Sequence, residues 1–178
     1  MDFRKDINGL RAFAVIAVVV FHFNSSWLPG GFAGVDVFFV ISGYLMTKII
    51  VTGLQNTSFS FLSFYSSRAK RIIPALAFAT LVLMLFGWFF LSAVDYTTLS
   101  KHAIASLGFF SNFYYLSEAG YFDESSSSKW LLHTWSLSVE WQFYLIYPIM
   151  MSALYAYLSF DWVRKTVVLT FVLSFVFS

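Results

Sequence analysis

The sequence predicts an all-α fold, a polytopic bundle of transmembrane helices. Hydrophobic residues make up 59% of the 178 residues, charged residues only 11%, and the chain contains 23 Phe. A soluble domain has about 45–50% apolar and about 25% charged residues, and one this small could not bury so much apolar surface. Disorder is excluded, and a net charge of +2 does not suggest the dense basic face of a nucleic-acid-binding domain. The absence of cysteine excludes disulfides and thiolate metal sites.

The apolar runs predict about five membrane helices and one short helix. The membrane helices are predicted at residues 8–28, 34–51, 72–91, 130–158 and 167–178, and the short helix at 103–116. Crossing a bilayer takes about 20 apolar residues, so the short, serine-containing segment is expected to be re-entrant or interfacial. The first run resembles a signal peptide, but it lacks a small-x-small cleavage site and is expected to be retained. Because the last run is still apolar at Ser178, residues 1–178 are expected to be the N-terminal part of a larger membrane domain.

Three clusters of lysine and arginine predict the orientation of the chain. They lie at residues 4–5, 68–71 and 164–165. If 103–116 does not cross the bilayer, all three clusters are cytoplasmic, as the positive-inside rule requires. The N-terminus is then cytoplasmic, and the acidic, serine-rich stretch 118–129 is external. If 103–116 does cross, the third cluster falls outside, and we favour the first topology for that reason.

Arg11 and His22 are predicted to share one face of the first helix. Their separation of eleven residues is within about 20° of three whole turns and corresponds to roughly 16 Å along the axis. Charges at membrane depth are costly unless paired or hydrated, so each is a functional candidate. Two interpretations stay open. Arg11 could snorkel to the headgroups while His22 lies at the opposite interface, or the pair could form a polar stripe facing the interior of the bundle.

Asp36 opens the second predicted helix, directly after a glycine-containing turn. A tight reversal at this turn would bring its carboxylate to the depth of His22. It could then hold one imidazole nitrogen and leave the other free as a base. Alternatively, Asp36 caps the N-terminus of the helix. Further along the same helix, Ser42 and Gly43 are expected to let a neighbouring helix approach closely.

His133 and Glu140 are also predicted to share a helical face, because seven residues lie within about 20° of two whole turns. Glu140 lies inside an apolar run and needs a partner or water. Pairing with an Arg or Lys of a helix that these 178 residues do not include is one interpretation. A catalytic or substrate-binding carboxylate is the other, and the polar side chains beside Glu140 favour it. His102 has no apolar context and is predicted to be an ordinary interfacial histidine.

Arg68 and Arg71 lie three residues apart, so their guanidinium groups would be neighbours on a helix. They could simply determine topology. The alternative is an anion site, because two guanidinium groups can grip a phosphate. The three histidines lack the spacing of metal ligands, and no metal site is predicted.

Several motifs in a fixed order resemble the acyltransferase-3 family of multi-pass membrane O-acyltransferases. They are Asp6-Ile-Asn-Gly-Leu-Arg-Ala12, the Arg11/His22 pair, Gly34-Val-Asp-Val-Phe-Phe-Val-Ile-Ser-Gly-Tyr44, the Arg68/Arg71 pair and His133-Thr-Trp-Ser-Leu-Ser-Val-Glu140. The segment Gly120-Tyr-Phe-Asp123 is similar to the bacterial branch that acts on O-antigen, peptidoglycan or related glycans. The resemblance runs from residue 6 to about residue 150.

The resemblance implies transfer of an acyl group, commonly acetyl, from cytoplasmic acyl-CoA to a carbohydrate hydroxyl outside the bacterial cytoplasmic membrane. Acyl-CoA is then a donor substrate, and no permanently bound cofactor is expected. His22 and Glu140 are expected to be catalytic, with Asp36 orienting His22. Arg11, Arg68 and Arg71 would bind the donor, and His133 and Trp135 the acceptor. Trp141 stands where many relatives have a second Glu, so the acidic role is assigned to Glu140 alone.

Two other functions remain as alternatives. A secondary transporter of a sugar or organic acid would also place charges at depth, but it should show broken helices and repeat symmetry. A non-catalytic membrane scaffold would explain the small packing residues but not Arg11, His22 and Glu140. Within the enzyme hypothesis, His22 either removes the hydroxyl proton or carries the acyl group covalently, and direct base catalysis is favoured. The 178 residues are not expected to be active alone.

Overall fold

The computed structural model describes residues 4–119, 129–158, 162–163 and 165–169, and it confirms the all-α prediction. No β-strand occurs in these described residues. A one-turn 3-10 helix, Gly31–Ala33, precedes α2. Of the predicted helix at 167–178, only residues 167–169 are described, and they are helical. The named helices are α1 (Lys5–Phe23), α2 (Gly34–Gln55), α3 (Phe61–Phe90), α4 (Ala93–Leu107), α5 (Ser111–Glu118) and α6 (Thr134–Tyr157).

The described residues include three helices that are long and apolar enough to cross a membrane. They are Lys5–Phe23, Gly31–Gln55 and Phe61–Phe90. The chain is therefore a helical membrane protein, as its composition predicted. The predicted span at 130–158 forms α6, which is not one of the three. Its N-terminal half carries Ser136, Ser138, Glu140 and Gln142, and these polar side chains line the site or pack against α5.

Two glycines bring α1 and α2 into close contact. A Cβ atom on Gly34 would lie 2.6 Å from the carbonyl oxygen of Ala14, and one on Gly31 would collide with the carbonyl oxygen of Ala17. Small residues allow this approach of helix backbones in membranes. Gly43 does not serve this purpose among the described helices, because a Cβ atom there would meet no atom of the described residues within 4 Å.

Helices α2 and α6 run in the same direction, and α3 runs against them. Ser42 and Thr47 of α2 hydrogen-bond to Glu140 and Tyr147 of α6, so residue numbers rise together along these two helices. The Tyr65 hydroxyl of α3 donates to the Leu145 carbonyl of α6 at 3.0 Å, whereas Arg68, further along α3, lines a cavity with the earlier residue Glu140. An apolar core fills the space between these three helices. Its buried members are Met46, Ile50, Phe64, Tyr144, Met151 and Val163.

Helix α3 begins well before the apolar run predicted at 72–91. Its N-terminus is Phe61, and the Ser60 side chain caps it by accepting a hydrogen bond from the Ser63 amide at 3.4 Å. Residues 63–71 are mostly polar, but they are helical because Phe64 and Tyr65 among them pack against α2 and α6. Arg68 and Arg71 therefore lie inside α3 and not ahead of it.

The predicted short helix at 103–116 is two helices, α4 and α5, separated at residues 108–110. Phe109 adopts a φ of 56°, in the left-handed region that ends helices. The chain reverses there, since His102 of α4 contacts Glu118 of α5 at 3.1 Å. A continuous crossing helix over 103–116 is thereby excluded. Side-chain hydrogen bonds connect α4 and α5 to α6. The bonded pairs are Ser106–Thr134, Ser111–Ser138 and Asn112–Gln142.

Candidate active site

A cavity of about 360 Å³ lies between α1, α2, α3 and α6. Apolar side chains form most of its wall, and charged and polar groups converge on it from all four helices. Six of the residues predicted from the sequence line it, which are Arg11, Arg68, Arg71, His133, Trp135 and Glu140. An interior polar stripe, one of the two interpretations of Arg11, therefore fits the structure better than snorkelling to the headgroups.

Two hydroxyl groups hold the half-buried Glu140 carboxylate. Ser42 Oγ donates to Glu140 Oε1 at 2.5 Å, and the Tyr144 hydroxyl donates to the same oxygen at 2.5 Å. The Tyr144 hydroxyl also lies 3.3 Å from Ser42 Oγ. Within the described residues, Oε2 has no hydrogen-bond partner and Glu140 forms no ion pair. The carboxylate is thus oriented by neutral donors, with one oxygen left for another group.

Sequence reasoning missed Ser42 and Tyr144 as members of this site. Ser42 was assigned to helix packing together with Gly43, and Tyr144 was not singled out. The spacing of Glu140 and Tyr144 could have revealed their contact, because residues four apart are neighbours on a helix. No local pattern links Ser42 to Glu140, which are 98 residues apart in the chain.

Three guanidinium groups give the cavity a basic wall. Arg68 Nε is buried without a hydrogen-bond partner, and one terminal nitrogen of Arg68 donates to Ser67 Oγ at 3.2 Å. The Arg11 guanidinium lies 5.9 Å from the centre of the Phe38 ring, and Arg71 is exposed. None of the three forms an ion pair with a described carboxylate. The wall therefore has unused donors suited to an anion.

His22 and His133 meet edge to face, with ring centroids 4.5 Å apart. His22 Nδ1 donates to the Val18 carbonyl oxygen at 2.7 Å. This contact requires the proton on Nδ1, so the neutral imidazole has a free lone pair on Nε2, as a general base needs. His22 lines a second hollow together with Val18, Val19 and His133, which also line the first cavity. The two spaces therefore adjoin at His133.

The structure does not bring Asp36 to His22. Gly34 packs on Ala14, and Arg11 lies over Phe38, so Asp36 is level with residues near 12 in α1. That is roughly 15 Å along the helix axis from His22. The expected tight reversal is absent because residues 24–30 and the 3-10 turn separate the helices. The Val18 carbonyl instead holds one imidazole nitrogen, Nδ1, which is the role that the sequence assigned to Asp36.

His102 lies outside the cavity and is buried. Its exposed fraction is 2%, and Nε2 lies 3.1 Å from both carboxylate oxygens of Glu118. Lys129 Nζ is 3.5 Å from the same carboxylate, and burial raises the pKa of the adjacent Tyr115 phenol to about 12. His102 thus ties α4 to α5, where the sequence predicted an ordinary interfacial histidine.

The fold and site define a polytopic membrane protein with a basic interior cavity that ends at a carboxylate and a histidine pair. The chain belongs to the acyltransferase-3 family, because the family described as Acyltransferase domain matches residues 4–178. This match confirms the resemblance found in its motifs.

Two bacterial relatives illustrate the similarity. The chain is 41% identical over 150 residues to O-acetyltransferase OatA of Staphylococcus aureus, a match that covers 83% of this chain and 24% of that protein. It is 43% identical over 144 residues to Peptidoglycan O-acetyltransferase OatA of Listeria monocytogenes, covering 80% and 23%. The chain thus spans about a quarter of the length of these curated relatives. No solved structure shows significant similarity to it.

Proposed function

We propose that the chain is part of a membrane enzyme that transfers an acetyl group from acetyl-CoA to a hydroxyl of a bacterial cell-envelope carbohydrate. The observation that carries the proposal is the cavity lined by Glu140, His133 and three arginines that form no ion pair with a described carboxylate. At His133 this cavity adjoins the hollow that His22 lines. Family membership supports acyl transfer. The names of the relatives support an acetyl group and a carbohydrate acceptor, with peptidoglycan as one example.

The arginine wall suits the donor. Coenzyme A carries phosphates too polar to enter the membrane interior, so they need cations near the face from which the donor comes. Arg68 and Arg71 lie on the part of α3 nearest its N-terminus, which the positive-inside rule places towards the cytoplasm. The uncharged arm of the donor would then follow the mostly apolar wall towards His133 and His22.

The chemical step is direct attack by the carbohydrate hydroxyl on the thioester carbonyl. His22 Nε2 takes the hydroxyl proton as the new C–O bond forms. The C–S bond then breaks, and the departing coenzyme A thiolate recovers the proton from the imidazolium. The Val18 carbonyl keeps the other proton on Nδ1 and so fixes the required tautomer. A covalent acyl-histidine is the competing route, and it would use the same free nitrogen.

Glu140 positions the acceptor. Its Oε1 atom is occupied by Ser42 and Tyr144, so Oε2 is available to accept a hydrogen bond from a second hydroxyl of the sugar. Trp135, which lines the same cavity and is 38% exposed, offers an apolar face for the sugar ring. His133 lies between this acceptor position and His22.

The test is acetyl transfer by the full-length protein in vesicles, with labelled acetyl-CoA and an isolated cell-envelope glycan. His22→Ala should lower the transfer rate about 100-fold or more, because general-base catalysis contributes that much. Lys101→Ala, an exposed position on α4 outside the cavity, serves as the control. Transfer that is equal in wild type and His22→Ala would refute the mechanism. Movement of intact solute without acetyl transfer would favour a transporter.

A further inference from the structure

We propose that a second cavity, between the C-terminal half of α2 and the N-terminal turns of α3, binds the phosphate-bearing nucleotide end of the donor. This inference rests on the proposed function and extends it to a site that the sequence did not suggest. The cavity has a volume of about 460 Å³. The polar side chains that line it are Lys48, Thr52, Ser58, Ser60, Ser63, Ser67 and Arg68.

Arg68 connects the two cavities, because it lines both. Its side chain packs over the Phe64 ring, with the guanidinium carbon 6.0 Å from the ring centre. The Nε atom of Arg68 is buried and has no hydrogen-bond partner. A ligand whose charged end occupies the second cavity and whose uncharged arm enters the first would pass Arg68. A coenzyme A thioester has this shape, since its phosphates lie between the nucleotide and the thioester arm.

The lining of the second cavity favours an anion. Lys48 is exposed and forms no hydrogen bond or ion pair with the described residues. Four serines and Thr52 line the cavity together with the two cations, and no acidic side chain is among the described residues that line it. The N-terminus of α3, capped by Ser60, adds the partial positive charge of a helix start. Phosphate groups are bound by this combination of cations, hydroxyls and amides.

The shape of the cavity is set by the turn between α2 and α3. The Ser58 and Phe59 amides donate to the Gly53 carbonyl at 2.8 and 3.1 Å. A Cβ atom on Gly53 would lie 3.0 Å from Phe59, so the glycine lets the Phe59 ring pack close to α2. Phe59 and Phe64, with ring centroids 5.8 Å apart, form an aromatic wall. Such a wall suits a nucleotide base, which binds proteins by stacking.

An anionic lipid headgroup offers the same phosphate chemistry. The aromatic wall and the connection to the reaction cavity through Arg68 favour the nucleotide, because a lipid headgroup needs neither. A nucleotide site and a lipid site are distinguished by measuring the KM for two acetyl donors in two kinds of vesicle. Acetyl-CoA carries the nucleotide, and acetyl-pantetheine has the same thioester arm without it.

The experiment compares full-length wild type with Lys48→Ala in vesicles of phosphatidylcholine, with and without phosphatidylglycerol. Lys48→Ala should raise the KM for acetyl-CoA about tenfold, the effect of losing one charge-assisted hydrogen bond. The KM for acetyl-pantetheine should not change. Adenosine 3′,5′-bisphosphate should compete with acetyl-CoA in wild type and less well in Lys48→Ala. Ser63→Ala should have a smaller effect in the same direction, and Lys70→Ala, which lies on α3 outside both cavities, should have none.

Three results would overturn this assignment. The first is an unchanged KM for acetyl-CoA in Lys48→Ala while acetyl transfer continues. This result would refute the nucleotide site but not the proposed function. The second is an equal effect on both donors, which would show that Lys48 does not contact the nucleotide. The third is an effect that depends on phosphatidylglycerol and not on the nucleotide, which would identify a lipid site. If wild type transfers acetyl from neither donor, the proposed function itself fails.

Discussion

The Tyr144 hydroxyl donates a hydrogen bond to Glu140 Oε1, one helical turn earlier on α6, at 2.5 Å. This contact and the one from Ser42 satisfy the carboxylate within an apolar helix without a direct ion pair to a described residue. Tyr144 is 5% exposed, so its ring is fixed by packing in the core between α2, α3 and α6. The orientation of Glu140 therefore depends on core packing as well as on its own helix.

Removing the Tyr144 hydroxyl should impair catalysis more than folding. Tyr144→Phe keeps the packed ring but loses one of the two donors to Glu140. We expect kcat to fall about tenfold, because one hydrogen bond to a charged group is worth about 1.5–3 kcal/mol, with the KM for the donor little changed. Tyr147→Phe is the matched control, since Tyr147 bonds Thr47 outside the cavity. Equal kcat values for the two variants would show that Tyr144 does not position Glu140.

The two predicted acidic residues should differ in importance. Glu140→Gln removes the charged group that positions the acceptor and should lower the rate of acetyl transfer about 100-fold, because a hydrogen bond to a charged group is worth up to about 3 kcal/mol. Asp36→Asn should cause a much smaller loss, because Asp36 is exposed and contacts neither His22 nor another described charge. Initial rates of transfer by the full-length variants provide the measurement. A loss in Asp36→Asn as large as in Glu140→Gln would mean that Asp36 reaches the site in the working enzyme.

Arg68 should act through donor binding. Arg68→Ala removes the guanidinium shared by the two cavities, and we expect the KM for acetyl-CoA to rise about tenfold or more. Lys70→Ala, two residues away on the same helix, removes an exposed positive charge and should change the KM less than twofold. Similar effects of the two substitutions would indicate general attraction by a basic surface and not a specific contact.

Gly34 should be essential for the packing of α1 on α2. In Gly34→Ala the added methyl group would clash with the Ala14 carbonyl, and overpacking of this kind costs about 1–3 kcal/mol. Thermal unfolding in detergent should therefore occur at a lower temperature. Gly43→Ala is the matched control on the same helix, because the space around Gly43 is open. A melting temperature of Gly34→Ala equal to that of Gly43→Ala would contradict the observed helix contact.

The sequence predicted the features that follow from composition and helical periodicity. Apolar content and run length predicted the helical membrane fold, and angular spacing placed Arg11, His133 and Glu140 on faces that the structure turns towards one cavity. These predictions succeed because each depends on one helix alone. The start of α3 was misjudged, since its first ten residues are too polar to form an apolar run and become helical through the packing of Phe64 and Tyr65 against other helices.

Relationships between helices could not be predicted in the same way. Asp36 was expected beside His22 because the turn between α1 and α2 was assumed to be tight. The connection is longer, and Asp36 therefore lies about three helical turns along α1 from His22. The Ser42–Glu140 contact and the reversal at Phe109 likewise depend on tertiary packing. The glycines show the same limit, because Gly31, Gly34 and Gly43 look alike in the sequence but only the first two face α1.

The most direct test of the central claim is an experimental structure of the full-length protein with a non-hydrolysable acetyl-CoA analogue. We predict that the acetyl carbonyl carbon lies in the space between His22 and His133, close enough to both His22 and an acceptor for reaction, with contacts of about 3–3.5 Å between reacting atoms. The thioester arm should follow the cavity past Arg68. An analogue bound elsewhere, with lipid chains filling this cavity, would contradict the account.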